Sequence, residues 1–373
     1  MIVDGYRRQY NGLLDILKFI FSILIVFSHG IFLAGEEDKL VFGYALIGVE
    51  FFFVISGYLL VNSIYTNKLS IRDYIIRRIK GLYGYFIMAF VFCSSVWLYL
   101  LIINEHPEKW TLFTYILKLP FEFAFMNSSG ISIVGVNGTW WYISAMLFSE
   151  WLIYPAIRYK ESWYLYYGAP LSVFLISGYM SFNFGTIATG GGWSGFIKTD
   201  NLRAILGVVC GTLVFYFVEK MKKYEIKKHV IYVCDFIAIL GYGVIWFIAY
   251  NNTPTIHSYV DGNLGFVTLP ILFVCVSITC LNEFTKWESV CKYLGKLSTC
   301  IYLVHWQCME LVKSFYERKI LNFGNATYHE KLIALFICSF IISNIILWIS
   351  DSIKRNISKN KDRIIEHLIE HKL

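Results

Sequence analysis

The sequence predicts an all-α, polytopic integral membrane helix bundle with about ten transmembrane helices and both termini cytoplasmic. Three observations predict it. Of the 373 residues, 57% are hydrophobic and only 16% charged, where a soluble globule carries roughly a quarter charged residues. Apolar runs long enough to cross hydrocarbon recur along the chain between short polar connections. Only six prolines occur, with no Gly/Ser-rich linker, which argues for one continuous unit over residues 1–350 and a short cytoplasmic tail at 351–373.

The spans fall at about 13–33, 41–63, 83–104, 140–157, 163–182, 204–219, 230–250, 263–281, 298–314 and 332–350. The first lacks a small-residue cleavage site and reads as a retained helix. Lys and Arg crowd the connections on the terminal side: Arg7 and Arg8, then Lys68 through Lys80, Arg158 and Lys160, Lys220 through Lys228, Lys286 through Lys296, and the tail. The positive-inside rule makes that side cytoplasmic. The net charge of +7 is thereby accounted for by topology and anionic headgroups, without nucleic acid. On the opposite side, 105–139 retains apolar character in LFTYILKLPFEFAF and suggests an interfacial or partly re-entrant helix. The segment 183–202, with TGGGWSGF, reads either as a rim over a cavity or as an ordinary glycine-rich loop. The tail has the amphipathic pattern of a short surface helix. Nearly all of the nine cysteines lie in or beside spans as small hydrophobes, and no metal site is expected.

An ionisable residue within a span is a functional candidate because its burial is costly. The first helix, LLDILKFIFSILIVFSHGIF, holds Asp15, Lys18 and His29. Eleven residues separate Lys18 from His29, about 16 Å of helical rise on nearly one face. Lys18 reads equally well as a snorkelling lysine paired with Asp15 three positions away. Glu50, in the outer half of the second span, is placed at a depth that could orient the His29 imidazole, or serve only as a packing-level acceptor. Glu150 and His305 are carried inward by their helices, each either a site residue or a tie between helices. Trp141 stands at the interfacial aromatic level. Arg72, Arg77, Arg78 and Lys80 are topology charge that would also suit phosphates. There is no G-x-S-x-G, P-loop, H-E-x-x-H or dinucleotide fingerprint. On the residues alone, the polar interior line fits a transporter as well as an enzyme.

DILKFIFSILIVFSH at 15–29 resembles the first-helix signature of the integral membrane acyltransferase-3 family, with Lys18 in the place usually held by arginine. GVEFFFVISGYLL at 48–60 continues the resemblance, Glu50 standing for the common aspartate. RRIKGLYGY at 77–85 keeps Arg77 and Arg78, but Gly81 and Gly84 replace an expected arginine and proline. TWWYISAMLFSEWLIYP at 139–155 matches at Trp141 and Pro155, and LGKLSTCIYLVH at 294–305 matches the late Y-L-x-H signature.

The resemblance implies O-acylation of a glycan hydroxyl on the outer side from cytoplasmic acyl-CoA, most commonly acetyl-CoA, in a bacterial cytoplasmic membrane. It implies no tightly bound cofactor. CoA phosphates would dock among Lys18, Arg72, Arg77 and Arg78. His29, oriented by Glu50, would take the acceptor's proton while His305 positions the acceptor or stabilises the oxyanion; direct transfer and an acyl-histidine both remain open. With no fused extracellular domain, this domain would complete the transfer, or a separate partner would finish it. The rival reading is a proton-coupled transporter or flippase of a small solute or lipid-linked sugar, disfavoured because no repeated halves are visible. Acceptor identity and oligomeric state are left open.

Overall fold

The computed structural model describes residues 10–35, 38, 40–42, 47–104, 109–130, 135–251, 263, 265–279, 287–318 and 326–370. Arg7, Arg8, Lys286 and most of the expected 251–263 connection lie outside these residues. The described chain is almost wholly helical: α1 Gly12–His29, α2 Ile47–Asn67, α3 Ile71–Asn104, α4 Lys109–Phe123, α5 Trp141–Trp163, α6 Ala169–Phe184, α7 Thr199–Met221, α8 Lys228–Asn251, α9 Gly265–Thr279, α10 Glu288–Glu317 and α11 Tyr328–Glu370. Among the described residues, six stretches are long and apolar enough to cross a membrane, namely Gly12–Leu33, Ile47–Asn67, Ile71–Ile103, Thr199–Met221, Lys228–Asn251 and Tyr328–Ser358. The apolar side chains that α8 exposes, Ile237, Ile239, Leu240 and Phe247, make sense where the surrounding solvent is hydrocarbon.

Local chemistry explains where several helices begin. Asn11 caps α1 by accepting from the Leu14 N–H at 3.1 Å, and Asn137 accepts from the Thr139 N–H at 2.9 Å ahead of the short 3-10 turn that leads into α5. At α3, Ser70 accepts from the Asp73 N–H at 3.1 Å and donates to the Asp73 carboxylate at 2.7 Å. This cap starts the helix at residue 71, so the basic segment read as a loop is the first three turns of α3. Arg72, Arg77, Arg78 and Lys80 therefore have fixed helical positions.

Two other expectations are modified. The break between the spans at 140–157 and 163–182 is a bend, with Lys160 outside helical geometry and a π turn at Tyr164–Gly168 leading straight into α6. The glycine-rich 183–202 segment is ordered by a small hairpin pairing Trp193–Ser194 with Ile197–Lys198, and by the Gly191 N–H donating to Asp200 at 2.9 Å. Within 105–139, α4 presents the exposed stripe Phe113, Ile116 and Leu117. The tail continues α11 without interruption to Glu370.

The core is organised by α2 against α7 and α1 against α10, with α3 and α11 flanking α10. Glycines set the α2–α7 spacing. A Cβ at Gly57 would collide with the Val208 carbonyl of α7, and one at Gly211 with the Val54 carbonyl of α2. The two backbones are thus in reciprocal contact, the small-residue packing favoured between membrane helices. Pairing α1 with α10 brings together the two histidines singled out in the sequence.

Candidate active site

α1 runs unbroken through His29, so the eleven steps from Lys18 span about 16 Å. At its end the His29 ring stands 5.0 Å from the His305 ring of α10, centroid to centroid, with 58° between their planes. Each ring is held from behind. His29 Nδ1 lies 2.9 Å from the Ile25 carbonyl, and His305 Nδ1 lies 2.9 Å from the Tyr302 carbonyl and 3.2 Å from that of Ile301. A carbonyl accepts only, so each ring carries a proton on Nδ1, and in its neutral form the Nε2 lone pair is the basic site. His305 is 1% exposed, and its Nε2 has no hydrogen-bond partner among the described residues. A buried polar atom without a partner is costly in a finished core and is expected where another molecule completes the bond.

Two contiguous cavities reach the turns that precede this pair. The wider, about 660 Å³, is lined by Asn67, Arg77, Arg78 and Lys296. The narrower, about 160 Å³, is lined by Lys18, Arg78, Ser56, Tyr142, Ser298 and Tyr302, with apolar walls from Val49, Phe52, Ile55 and Met146. Leu59, Arg78, Leu82 and Thr299 belong to both. Ile25 and Tyr302 line the narrow cavity, and their carbonyls hold His29 and His305. The path thus begins at a basic mouth, passes a slot with hydroxyl groups and ends at the residues that orient the imidazoles.

Arg78 is fixed by Glu150 in a two-point ion pair, Nε to Oε2 at 2.9 Å and Nη2 to Oε1 at 2.6 Å. Tyr74 donates to Oε2 at 3.0 Å, and Glu150 is fully buried. This carboxylate therefore aims the guanidinium that lines both cavities. Arg77 donates to Asn67 at 2.8 Å. Lys18 pairs with Asp15 at 2.8 Å, as its spacing anticipated, and Tyr10 donates to the same carboxylate at 2.9 Å. Lys296 pairs with Asp351 at 2.8 Å. Arg72 is exposed and lines neither cavity.

Of the two roles open to Glu50 from the sequence, orienting His29 or serving as a packing-level acceptor, the contacts favour the second: its carboxylate receives Arg203 of α7, both residues being buried, while the Ile25 carbonyl holds His29 Nδ1. A guanidinium brings a full positive charge and several donors, so it satisfies a buried carboxylate better than a neutral imidazole does. The Arg203 guanidinium also lies 5.7 Å from the Trp141 ring centre. Glu50, Arg203 and Trp141 thereby join α2, α7 and α5.

Sequence reasoning missed Arg203, because it sits just before the expected start of a span. A lone arginine at a helix entrance on the basic-poor side was the available signal. It also missed Tyr142 and Tyr302, whose rings meet at 5.4 Å, and the clamp on α10. In that clamp, Asn137 Nδ2 and Trp140 Nε1 donate to the Leu303 carbonyl at 3.0 and 3.1 Å, Gln307 donates to the Val136 carbonyl, and Tyr302 donates to that of Thr139. These bonds fix the turn that carries His305. Beside the clamp and outside the six spanning stretches, Glu122 accepts from the Val136 N–H at 2.8 Å. Burial pushes its carboxyl up to about 7. No group of three His, Cys, Asp or Glu side chains able to hold a metal occurs among the described residues.

Comparison with known proteins matches residues 11–349 to the family described as acyltransferase domain. O-acetyltransferase OatA of Staphylococcus aureus strain NCTC 8325 / PS 47 is 27% identical over 303 residues, covering 72% of this chain and 47% of the relative. A second relative, SAS0844 of Staphylococcus aureus strain MSSA476, carries the name O-acetyltransferase provisionally; it is 23% identical over 344 residues, covering 83% of this chain and 52% of its own. The chain spans about half the length of these curated relatives. No solved structure matches it.

Proposed function

The chain belongs to the acyltransferase-3 family, and from that premise we propose that it transfers an acetyl group from cytoplasmic acyl-CoA to a hydroxyl of a glycan on the outer side of a bacterial cytoplasmic membrane. In this reading ten helices span the bilayer, with the wide basic cavity facing the cytoplasm. The observation that carries the proposal is the contiguous path from Arg77, Arg78 and Lys296 to the residues holding His29 and His305. Its mouth suits the phosphates of a nucleotide, with Arg78 held rigid by Glu150. Its narrow part suits an extended thioester arm. The distance of about 16 Å along α1 from Lys18 to His29 is of the order such an arm can reach.

The tautomers favour particular roles. His29 Nε2 takes the proton of the acceptor hydroxyl as its oxygen attacks the thioester carbonyl carbon; the C–S bond breaks, and the resulting imidazolium returns the proton to the CoA thiolate. With its Nδ1 proton directed at carbonyls, His305 presents a lone pair. It therefore accepts a hydrogen bond from a second hydroxyl of the acceptor, next to the attacking one, and so positions the sugar, rather than donating to the oxyanion. Glu50 supports the site at one remove, by tying α2 to α7 through Arg203.

The test is release of CoA thiol by the purified protein in lipid vesicles supplied with acetyl-CoA and cell-envelope glycans. Glycan-dependent release that is lost in His29→Ala is the expected result. Folded protein that releases no thiol with any donor and acceptor would overturn the proposal and make proton-coupled solute flux the next measurement.

A further inference from the structure

The histidine pair has an aromatic neighbour that the transfer chemistry does not use. Trp306 follows His305 on α10, and its ring meets the His29 ring edge-on at 5.5 Å and 80°. On its other side it meets Phe32 at 5.5 Å and 67°. Trp306 is partly exposed and Phe32 is 51% exposed. The rings thus run from a half-buried base to an open surface.

The shelf is built and held in place. Phe32 lies on the 3-10 turn Gly30–Leu33 that continues α1 past His29. Gly30 lets that turn press against α11, where a Cβ would collide with the Leu332 side chain. Lys331 of the same helix donates to the Leu33 carbonyl at 3.1 Å, closing the turn's free end. A phenylalanine serving only as an interfacial anchor has no need of such support or of a tryptophan beside a catalytic imidazole.

An aromatic face carries partial negative charge, and the C–H face of a pyranose ring carries partial positive charge, so the two stack while the sugar's hydroxyls stay at its edge. We propose that Trp306, flanked by Phe32, is the platform on which a sugar ring of the acceptor stacks, delivering one edge hydroxyl to His29 and the neighbouring one to His305. The inference rests on the glycan reading above and adds the acceptor subsite to it. The unpartnered Nε2 of buried His305, one residue away, is the acceptor atom that the neighbouring hydroxyl would meet.

The experiment compares wild type, Trp306→Ala and Trp306→Phe in vesicles with acetyl-CoA and two acceptors: a cell-wall oligosaccharide and n-butanol, a hydroxyl without a ring. Trp306→Ala is expected to raise the oligosaccharide KM about tenfold, with the KM for acetyl-CoA and the butanol rate unchanged, and Trp306→Phe is expected to restore most of the loss. An unchanged oligosaccharide KM in Trp306→Ala overturns the platform. So does an equal fall in the oligosaccharide and butanol rates, which marks a merely structural tryptophan. If wild type acetylates butanol but no oligosaccharide, the glycan reading fails and the platform with it; if it acetylates neither, acyl transfer itself fails.

Discussion

The His29 ring, at the end of α1, stands 5.0 Å from the His305 ring, midway along α10, and each has its Nδ1 fixed by a carbonyl of its own preceding turn. Neither base depends on a carboxylate to choose its tautomer. His29→Ala should lower kcat by about 10²- to 10⁴-fold, the usual worth of a general base. His305→Ala should lower it too, and the double variant should be little worse than the more damaging single one, because residues that act as a unit are not additive. Steady-state CoA release by the four proteins decides this.

Arg78 and Arg77 are adjacent in sequence and should behave differently. Arg78→Ala strands the buried Glu150, so it should cost about 3 kcal/mol of stability as well as raising the acyl-CoA KM. Arg77→Ala, exposed and bonded only to Asn67 among the described contacts, should raise the acyl-CoA KM without moving Tm. Its effect should shrink as salt screens the phosphates. Thermal unfolding beside KM at two ionic strengths separates the two arginines.

The Glu50–Arg203 pair predicts a rescue. Glu50→Leu or Arg203→Met alone removes one partner of a buried ion pair and should cost about 3–5 kcal/mol, while the double variant should recover most of that loss. It should also recover activity, since His29 is held by Ile25. A stable but inactive double variant would return Glu50 to the chemistry.

The helices were legible because apolar runs of spanning length leave few alternatives. His29, Lys18 and Asp15 were legible for a related reason: they share one helix, and periodicity alone relates their positions. Glu150 and Arg78 lie 72 residues apart, Glu50 and Arg203 lie 153 apart, and no local pattern couples such pairs. Their partners are chosen by which helices pack together. The basic segment at 71–80 was misread as a loop because its charge spoke for topology, whereas the Ser70–Asp73 cap decides where α3 begins.

Glu122 offers a pH test away from the histidines. Its carboxyl is raised to about 7 in the folded protein, so the folded form holds the proton more tightly than the unfolded chain does. Its contribution to stability is full below the ordinary carboxylate range and declines as pH climbs toward 7. Tm should therefore fall between about pH 5 and pH 7.5, and Glu122→Gln should flatten that part of the profile. An equal slope in both proteins would assign the decline to other groups.

The slot between the two cavities has a consequence for the cell as well as for catalysis. A passage reaching from one face of a bilayer toward the other threatens to short-circuit the proton gradient. Here the narrow part holds only about 160 Å³, and Val49, Phe52, Ile55 and Met146 are among its walls. Polar side chains line it too, Lys18, Ser56, Arg78, Tyr142, Ser298 and Tyr302 among them. In the proposed reading the insulation therefore falls to the occupant: a linear acyl donor seated in the slot takes the place of a continuous file of water.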